Sequence, residues 1–303
     1  MAPFRIISFD SGGVRGALSA RILKRLAAKF PNLIARTHLF AGTSTGSLIA
    51  LGLAYNKSAE DIDNLFCYDN MKKVFSPAHV NVFRPKFDNT ELTRLLLTVF
   101  PEDLTLSSLK KYVFVPAFYV GSEEADAWTP VFFNNLPFSQ SSESTAISVA
   151  LSSSAAPTYF PSHNNHIDGG VMLTSPAAAP IIYAKNAFQD QYTFSDFRLL
   201  SIGTGKNPLC ISQNTARWGL LHWGINLFHE IKLPLIEILL NDTTSLEVFY
   251  AKQLIKHNFF RINPKLDTLL ELDDYKKIPL LKEIADQINL DDAYAFIDKY
   301  FLN

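Results

Sequence analysis

Residues 42–46 read Gly42-Thr43-Ser44-Thr45-Gly46, set between the apolar pair Phe40-Ala41 and an apolar run over residues 47–54. A serine flanked by glycines between a strand and a helix marks a sharp turn that pushes its Oγ out of the backbone. The missing Cβ atoms let strand and helix close on each other. A strand that passes straight into a helix packed back on it is a unit of an α/β sheet, not of a β-sandwich or a helical bundle. Ser44 is thereby a candidate nucleophile. The chemistry also needs a base and donors for a developing oxyanion.

The N-terminal half repeats this strand–helix unit. Phe4–Phe9 reads as a short apolar strand, residues 10–16 as a glycine-rich turn, and residues 17–30 as a helix with Leu18, Ile22, Leu23, Leu26 and Ala27 at helical spacing. A βαβα opening predicts a parallel or mixed sheet with helices packed on it. Further helices are predicted over 60–75, 90–100 and 144–152, with 76–90 as a loop. Strands are predicted over 112–120, 129–133, 166–168 and Phe197–Ile202. Beyond residue 208 the chain reads as mostly helical.

The chain has 303 residues, 48% of them hydrophobic, enough for one large α/β core. A net charge of −1 offers no basic surface for nucleic acid. The two cysteines, Cys67 and Cys210, lack metal-ligand spacing and read as buried thiols rather than a disulfide. No charged segment followed by an apolar one precedes the first strand, so no signal peptide is expected. No stretch approaches ~18 uninterrupted apolar residues. These features predict a cytoplasmic protein with peripheral membrane contact, and export without a classical signal stays open.

Two further motifs accompany Ser44: Gly12-Gly13 in the turn after the first strand, and Asp168 before Gly169-Gly170. A dinucleotide site would need an acid ~20 residues past the glycines. Residues 29–33, Lys-Phe-Pro-Asn-Leu, offer none, and no Gly-Lys-Ser/Thr follows for a P-loop. The N–H groups of Gly12 and Gly13, with that of Thr45, are candidate oxyanion donors. One such donor is worth roughly 3–4 kcal/mol of barrier. The seven histidines are His38, His79, His163, His166, His222, His229 and His257. Those after Asp168 lie in the helical C-terminal part, outside any obvious post-strand loop. Asp168 itself is then the candidate base, provided that burial lifts its pKa and brings it against Ser44 Oγ.

In this order the motifs resemble those of the patatin-like phospholipase family, which uses a Ser/Asp dyad. They read Asp10-Ser11-Gly12-Gly13-Val14-Arg15-Gly16, then Gly42 to Gly46 around Ser44, then Asp168-Gly169-Gly170. Residues 151–161 and the run Ser201-Ile202-Gly203-Thr204-Gly205 also look like the family. The resemblance implies a three-layer α/β/α fold with a central, mostly parallel sheet and additional C-terminal helices. It implies a catalytic core over 1–207 and a mostly helical extension over 208–303 packed on it. It assigns Ser44 as nucleophile, Asp168 as base and Gly12 and Gly13 as oxyanion donors, and gives Arg15 a role in holding the loop. No metal or cofactor is implied. The implied substrate is a phospholipid or lysophospholipid met at a transient membrane surface, and the sequence names no activator, protein or small molecule. The chain departs from the family at Ser11, which replaces the first glycine of a triple. A positive φ there would strain the backbone by ~1–2 kcal/mol.

Residues 218–240 read either as a core-packing helix pair broken near Pro234 or as a lid or membrane-docking surface. The tail reads as amphipathic helices around Leu280, Leu281, Ile284, Ile288, Ala293 and Phe296. Two other functions stay open at this point. One is a histidine-triad esterase using His222, His229 or His257. The other is a lipid- or partner-binding module whose oxyanion loop Ser11 has spoiled.

Overall fold

A strand covered on both faces must be apolar at successive positions, and β1 (Phe4–Phe9) is buried along its whole length. In the computed structural model, which describes residues 2–79, 83–122, 127–208, 210–224, 233–242 and 244–303, β1 is central in a mixed sheet. The other strands are β2 (Leu39–Gly42), β3 (Tyr112–Tyr119), β4 (Thr129–Asn134), β5 (His166–Asp168), β6 (Phe197–Ile202) and β7 (Phe259–Ile262). Their order is β4-β3-β2-β1-β6-β7, with β5 pairing on β3. Pairs β1–β2, β1–β6, β2–β3 and β6–β7 are parallel; β4 and β5 run antiparallel to β3.

Successive side chains of β1 alternate between two apolar layers, as the strand period requires. Ile7 and Phe9 join the larger core, together with Leu18 and Leu23 of α1 (Gly16–Lys29). Phe4 and Ile6 join the other core on the opposite face. The larger core gathers α2 (Leu33–Arg36), which precedes β2, and, between β2 and β3, α3 (Thr45–Ala54), α4 (Ala59–Leu65), α5 (Tyr68–Val74) and α6 (Thr90–Val99). It also takes α7 (Ala146–Ser153). The opposite face is covered by α8 (Ala178–Ala187). Helices on both faces of a mostly parallel sheet make the three layers expected from the sequence.

The C-terminal part contributes α9 (Leu220–Gly224), α10 (Pro234–Asp242), α11 (Thr244–Ile255), α12 (Ile278–Gln287) and α13 (Asp291–Phe296). Ala251 and Ile255 of α11 pack with α8, and Glu247 Oε2 accepts the Ala178 and Ala179 N–H groups at 2.8 and 3.0 Å. This carboxylate therefore caps α8 from a distant segment. Buried Asp63 on α4 pairs with Arg21 and Lys24 on α1 and with Lys282 on α12.

The structure corrects several sequence expectations. The predicted 60–75 helix breaks at Phe66-Cys67, where Cys67 Sγ caps α5 through the Asn70 N–H. Neither cysteine is a buried thiol: Cys67 is half-buried and Cys210 exposed. Strand β7 lies inside the part read as helical. Its arginine, Arg261, closes on Asp10 at the end of β1 with a bidentate pair of 3.1 and 2.5 Å, and also reaches Ser201 Oγ at 2.7 Å. Pro234 begins α10, where its missing N–H leaves no helical bond unmade. Of the 218–240 reading, α9 is exposed at Leu220 and Leu221. Helix α10 buries Leu240 and exposes Leu235 and Ile238. Residues 225–232, including His229, lie outside the described residues. Among the described residues no helix is long and apolar enough to cross a membrane.

Asp10 and Arg261 are both withdrawn from water, so removing one leaves the other charge uncompensated. Arg261→Ala is expected to lower unfolding stability by about 3–5 kcal/mol. Urea titration followed by circular dichroism checks this, and a loss under ~1 kcal/mol would mean the pair is effectively solvated.

Candidate active site

Ser44 sits between β2 and α3 with φ 53° and ψ −121°, a backbone region that non-glycine residues avoid. Such a conformation costs on the order of 1–3 kcal/mol and must be held by its surroundings. The Ser44 N–H donates to Ser153 Oγ at 2.9 Å, and Ser153 Oγ–H donates to Pro116 O at 2.6 Å on β3. The Ser44 carbonyl accepts the Ser47 N–H at 2.8 Å and its hydroxyl at 2.6 Å. The glycines are required by contact. A Cβ on Gly42 would lie 2.0 Å from Gly46 O, and one on Gly46 would lie 2.4 Å from Phe9 O. Ser153 is a site residue that sequence reasoning missed. Its only signal was its place in the serine run before Pro157.

Asp168 reaches Ser44 through sheet topology. Both β4 and β2 pair with Phe114 of β3, so they take opposite edges. Both β4 and β5 pair with Ala117, so β5 shares the β2 edge. Strand β2 stops at Gly42 and turns out through Ser44. Strand β5 enters antiparallel just beyond it, with Asp168 opposite Ala117. The Asp168 carboxylate accepts the Gly170 N–H at 2.6 Å and a hydrogen bond from the Ser44 hydroxyl. The residue is 1% exposed, and burial pushes its pKa up to about 7; the bonds from Ser44 and Gly170 pull the other way. Gly169 lies where a Cβ would meet Pro116 O at 2.3 Å.

The glycine-rich turn presents two N–H groups because its carbonyls are held from behind. In a trans peptide C=O and N–H point in opposite directions. Thr204 Oγ donates to Ser11 O at 2.7 Å, which turns the Gly12 N–H away from Thr204. Arg15 N–H and Nε donate to Gly12 O at 3.1 and 3.3 Å, which turns the Gly13 N–H the other way. With Gly12 at ψ 13° the two nitrogens fall on one side and their N–H bonds converge. Among the described residues no protein acceptor meets the N–H of Gly12, Gly13 or Thr45, whereas Ser11 and Val14 donate to Thr174 O and Leu272 O. Gly13 has φ +57° and faces Leu272 O, which a Cβ would reach at 2.0 Å. Ser11 is not among the positive-φ residues, so the strain considered for it does not arise. Gly16 opens α1 against Thr45 Oγ, 2.3 Å from where its Cβ would be. Buried Arg15 has its pKa lowered to about 10 by desolvation, offset in part by Glu237, Asp10 and Tyr159, and stays charged at neutral pH.

Ser44 and Asp168 line a cleft that opens to solvent. Its depth is apolar: Leu48 from α3, Met71 and Val74 from α5, Leu92 from α6, and Phe66, Phe75 and Phe160 from the connections. Leu240 of α10, Leu272 and Tyr159 close another side, and Ser11, Gly13, Thr45 and Ser154 line it as well. The Tyr159 hydroxyl bonds to Glu237 of α10. No histidine among the described residues lines the cleft. His222 stacks on Trp218, His257 packs at a tilt against Tyr300, and His38 Nδ1 accepts the Arg5 N–H. Among the described residues no group of three or more His, Cys, Asp and Glu is placed to hold a metal ion.

The chain is similar in sequence to known proteins. The model of the family described as patatin-like phospholipase matches residues 7–181. Protein teg of Priestia megaterium is 34% identical, over 99% of both chains. A cGAMP-activated phospholipase of Escherichia coli is 27% identical over 95% of this chain and 84% of its own. Among solved structures, VipD from Legionella pneumophila covers 94% of this chain and 67% of its own, with 12% identity and a TM-score of 0.46. The family model spans more than half of the chain, and the chain belongs to the patatin-like phospholipase family.

Proposed function

We propose that this protein is a lipid acyl hydrolase of the phospholipase A or lysophospholipase type, acting through Ser44 and Asp168. The observation that carries this reading is the Ser44–Asp168 hydrogen bond at the polar end of an otherwise apolar cleft. The acyl chain lies along Leu48, Met71 and Leu92, which leaves the ester carbonyl at Ser44. Asp168 accepts the Ser44 proton as Oγ attacks, and the oxyanion meets the N–H groups of Gly12 and Gly13, with Thr45 nearby. Collapse breaks the bond to the leaving alcohol, which takes the proton from Asp168. Water then attacks the acyl-enzyme with Asp168 again as base, the ester bond to Oγ breaks, and the free acid departs.

Exposed Leu220, Leu221, Leu235 and Ile238 support transient contact of α9 and α10 with a lipid surface. The Escherichia coli relative carries activation by cGAMP in its name. Here the aligned oxyanion loop favours turnover without an activator. The same reading takes 1–207 and 208–303 as one folded unit, since Arg261, Leu240 and Leu272 meet Asp10, the cleft and the loop. The absence of any histidine from the described cleft weighs against a histidine triad. A fluorophosphonate probe that fails to label Ser44 would favour a binding module instead.

Ser44→Ala and Asp168→Asn are each expected to lower hydrolysis of a p-nitrophenyl ester and of phospholipid vesicles by at least ~100-fold. Wild-type rates in both variants would overturn the dyad. Because the base form of Asp168 is required, kcat/KM should rise with pH through about 7 and level off above it.

Stability carries the opposite sign. Between the ordinary carboxylate pKa of 3.8 and about 7, the folded protein keeps a proton that the unfolded chain has lost. Stability therefore falls as pH rises through that window, by up to on the order of 4 kcal/mol. Asp168→Asn should raise the melting temperature at pH 8 and make little difference near pH 4. Calorimetry at the two pH values checks this.

A further inference from the structure

Lys86 lies outside every motif of the site, yet it is fixed to the segment that backs the glycine-rich turn. Its backbone is held on both sides. The Lys86 N–H donates to Thr158 O at 2.8 Å, the Phe87 N–H to Tyr159 O at 2.8 Å, and Lys86 O accepts the His79 N–H at 2.7 Å. The Phe87 ring packs on Phe75 and Phe160, which line the cleft. From this wall the Lys86 ammonium reaches over the Phe87 and Tyr159 rings, 5.5 and 5.6 Å from their centroids, and pairs with Asp273. The Asp273 side chain is 8% exposed, so its charge depends on that partner. Asp273 adjoins Leu272, whose carbonyl accepts the Val14 N–H at 2.8 Å and packs directly against Gly13. Residues 266–274 form neither helix nor strand, so no regular ladder fixes that carbonyl. Side-chain contacts flank it instead. Asn207 donates to Leu270 O at 2.9 Å and accepts the Leu270 N–H at 3.1 Å on one side, and Lys86 holds Asp273 on the other.

We propose that Lys86 is a positioning residue for the oxyanion hole, acting through Asp273 and the Leu272 carbonyl. This rests on the Ser44–Asp168 reading above, with the Gly12 and Gly13 N–H groups as donors. Such a donor helps most when it already points to where the negative charge develops. Gly13 sits at φ +57°, and a glycine can leave such a conformation at little steric cost. Its two peptides must therefore be held from outside. Arg15 holds Gly12 O on one side, and Leu272 O holds the Val14 N–H on the other. Without the Lys86 pair, Asp273 turns toward water and carries Leu272 with it. The peptide between Gly13 and Val14 is then released, and the Gly13 N–H loses its direction. Lys86 is not among the residues that line the cleft, so binding of the acyl chain does not depend on it. Its effect falls on the transition state.

Lys86→Met keeps the stem of the side chain over the two rings and removes its charge. With p-nitrophenyl butyrate, kcat should fall roughly 10-fold, a part of the ~100- to 1000-fold that loss of a whole donor costs, while KM stays within about twofold of wild type. Octylboronic acid, which forms a tetrahedral adduct on Ser44 Oγ with an oxygen in the hole, should lose affinity by about the same factor as kcat. Asp273→Asn should give the same losses, and the double variant no more than either alone, because both act through one contact. The double variant buries no unpaired charge and is the one to read should Lys86→Met fail to fold. Unchanged kcat, a raised KM at constant kcat, unchanged boronate affinity, or losses that add in the double variant would each overturn the proposal. If a fluorophosphonate does not label Ser44 of the wild-type protein, the dyad reading itself fails and takes this proposal with it.

Discussion

The meeting of Ser44 and Asp168, the proposed dyad, depends on one hydrogen-bonding edge of β3 being shared by two strands. Strand β2 occupies that edge up to Ala41 opposite Phe114, and β5 occupies it from Ala117 onward. At ~3.3 Å per residue the interval between them is about 10 Å. That gap is where the chain leaves the sheet through Ser44. Because β5 runs antiparallel, its last residue, Asp168, falls at the end of the gap nearest the elbow. A carboxylate carried on a longer β5, or a β2 that ran on past Gly42, would not meet the serine. Ser153 spans the same gap, tying the Ser44 N–H to Pro116 O, so the strained elbow is held by the strand on which β5, with Asp168, pairs.

Burial of Asp168 follows from this closure and suits it to the proposed role of base. A solvated aspartate has too low a pKa to take a serine proton near neutral pH. Inside the sheet its charge loses water and, among the described residues, keeps the bonds from Ser44 and the Gly170 N–H, which moves its pKa into the range that the proposed base needs. The same desolvation destabilises the fold at that pH, so base strength and stability are drawn from one term with opposite signs. Glu247 is a useful contrast. Burial also raises its pKa, but three backbone N–H groups of the α8 start point at it, and it serves as a cap.

Features set by neighbouring residues were legible in the sequence. The apolar runs of β1 and β6, the glycines around Ser44 and the Asp168 turn are local patterns, and each lies where its pattern puts it. Features set by remote contact were not. Strand β7 is only four residues, Phe-Phe-Arg-Ile, too short to stand out between helical segments, and its role is set by Asp10, 251 positions away. The missed helix α8 begins after Ser-Pro and depends on Glu247 for its cap. Ser11 could not be judged from a motif, since the loss of a glycine matters where φ is positive or where the fold leaves no room for a Cβ. The left-handed residue of the turn is Gly13.

The glycine-rich loop of the proposed oxyanion hole shows why the C-terminal part belongs in any account of the site. Its N–H groups are free to bind charge because other groups take its carbonyls and flanking amides. Thr204 follows β6 and holds Ser11 O; Leu272 accepts the Val14 N–H and leaves no room for a side chain at Gly13. Arg15 holds Gly12 O while feeling the carboxylates of Glu237 and Asp10, one on α10 and the other fastened to β7 through Arg261. Residues from 204 onward thus decide which way the two glycine peptides face. A loop with the same residues but without these contacts could rotate either peptide and direct a carbonyl, rather than an N–H, at the negative charge that the proposed reaction develops.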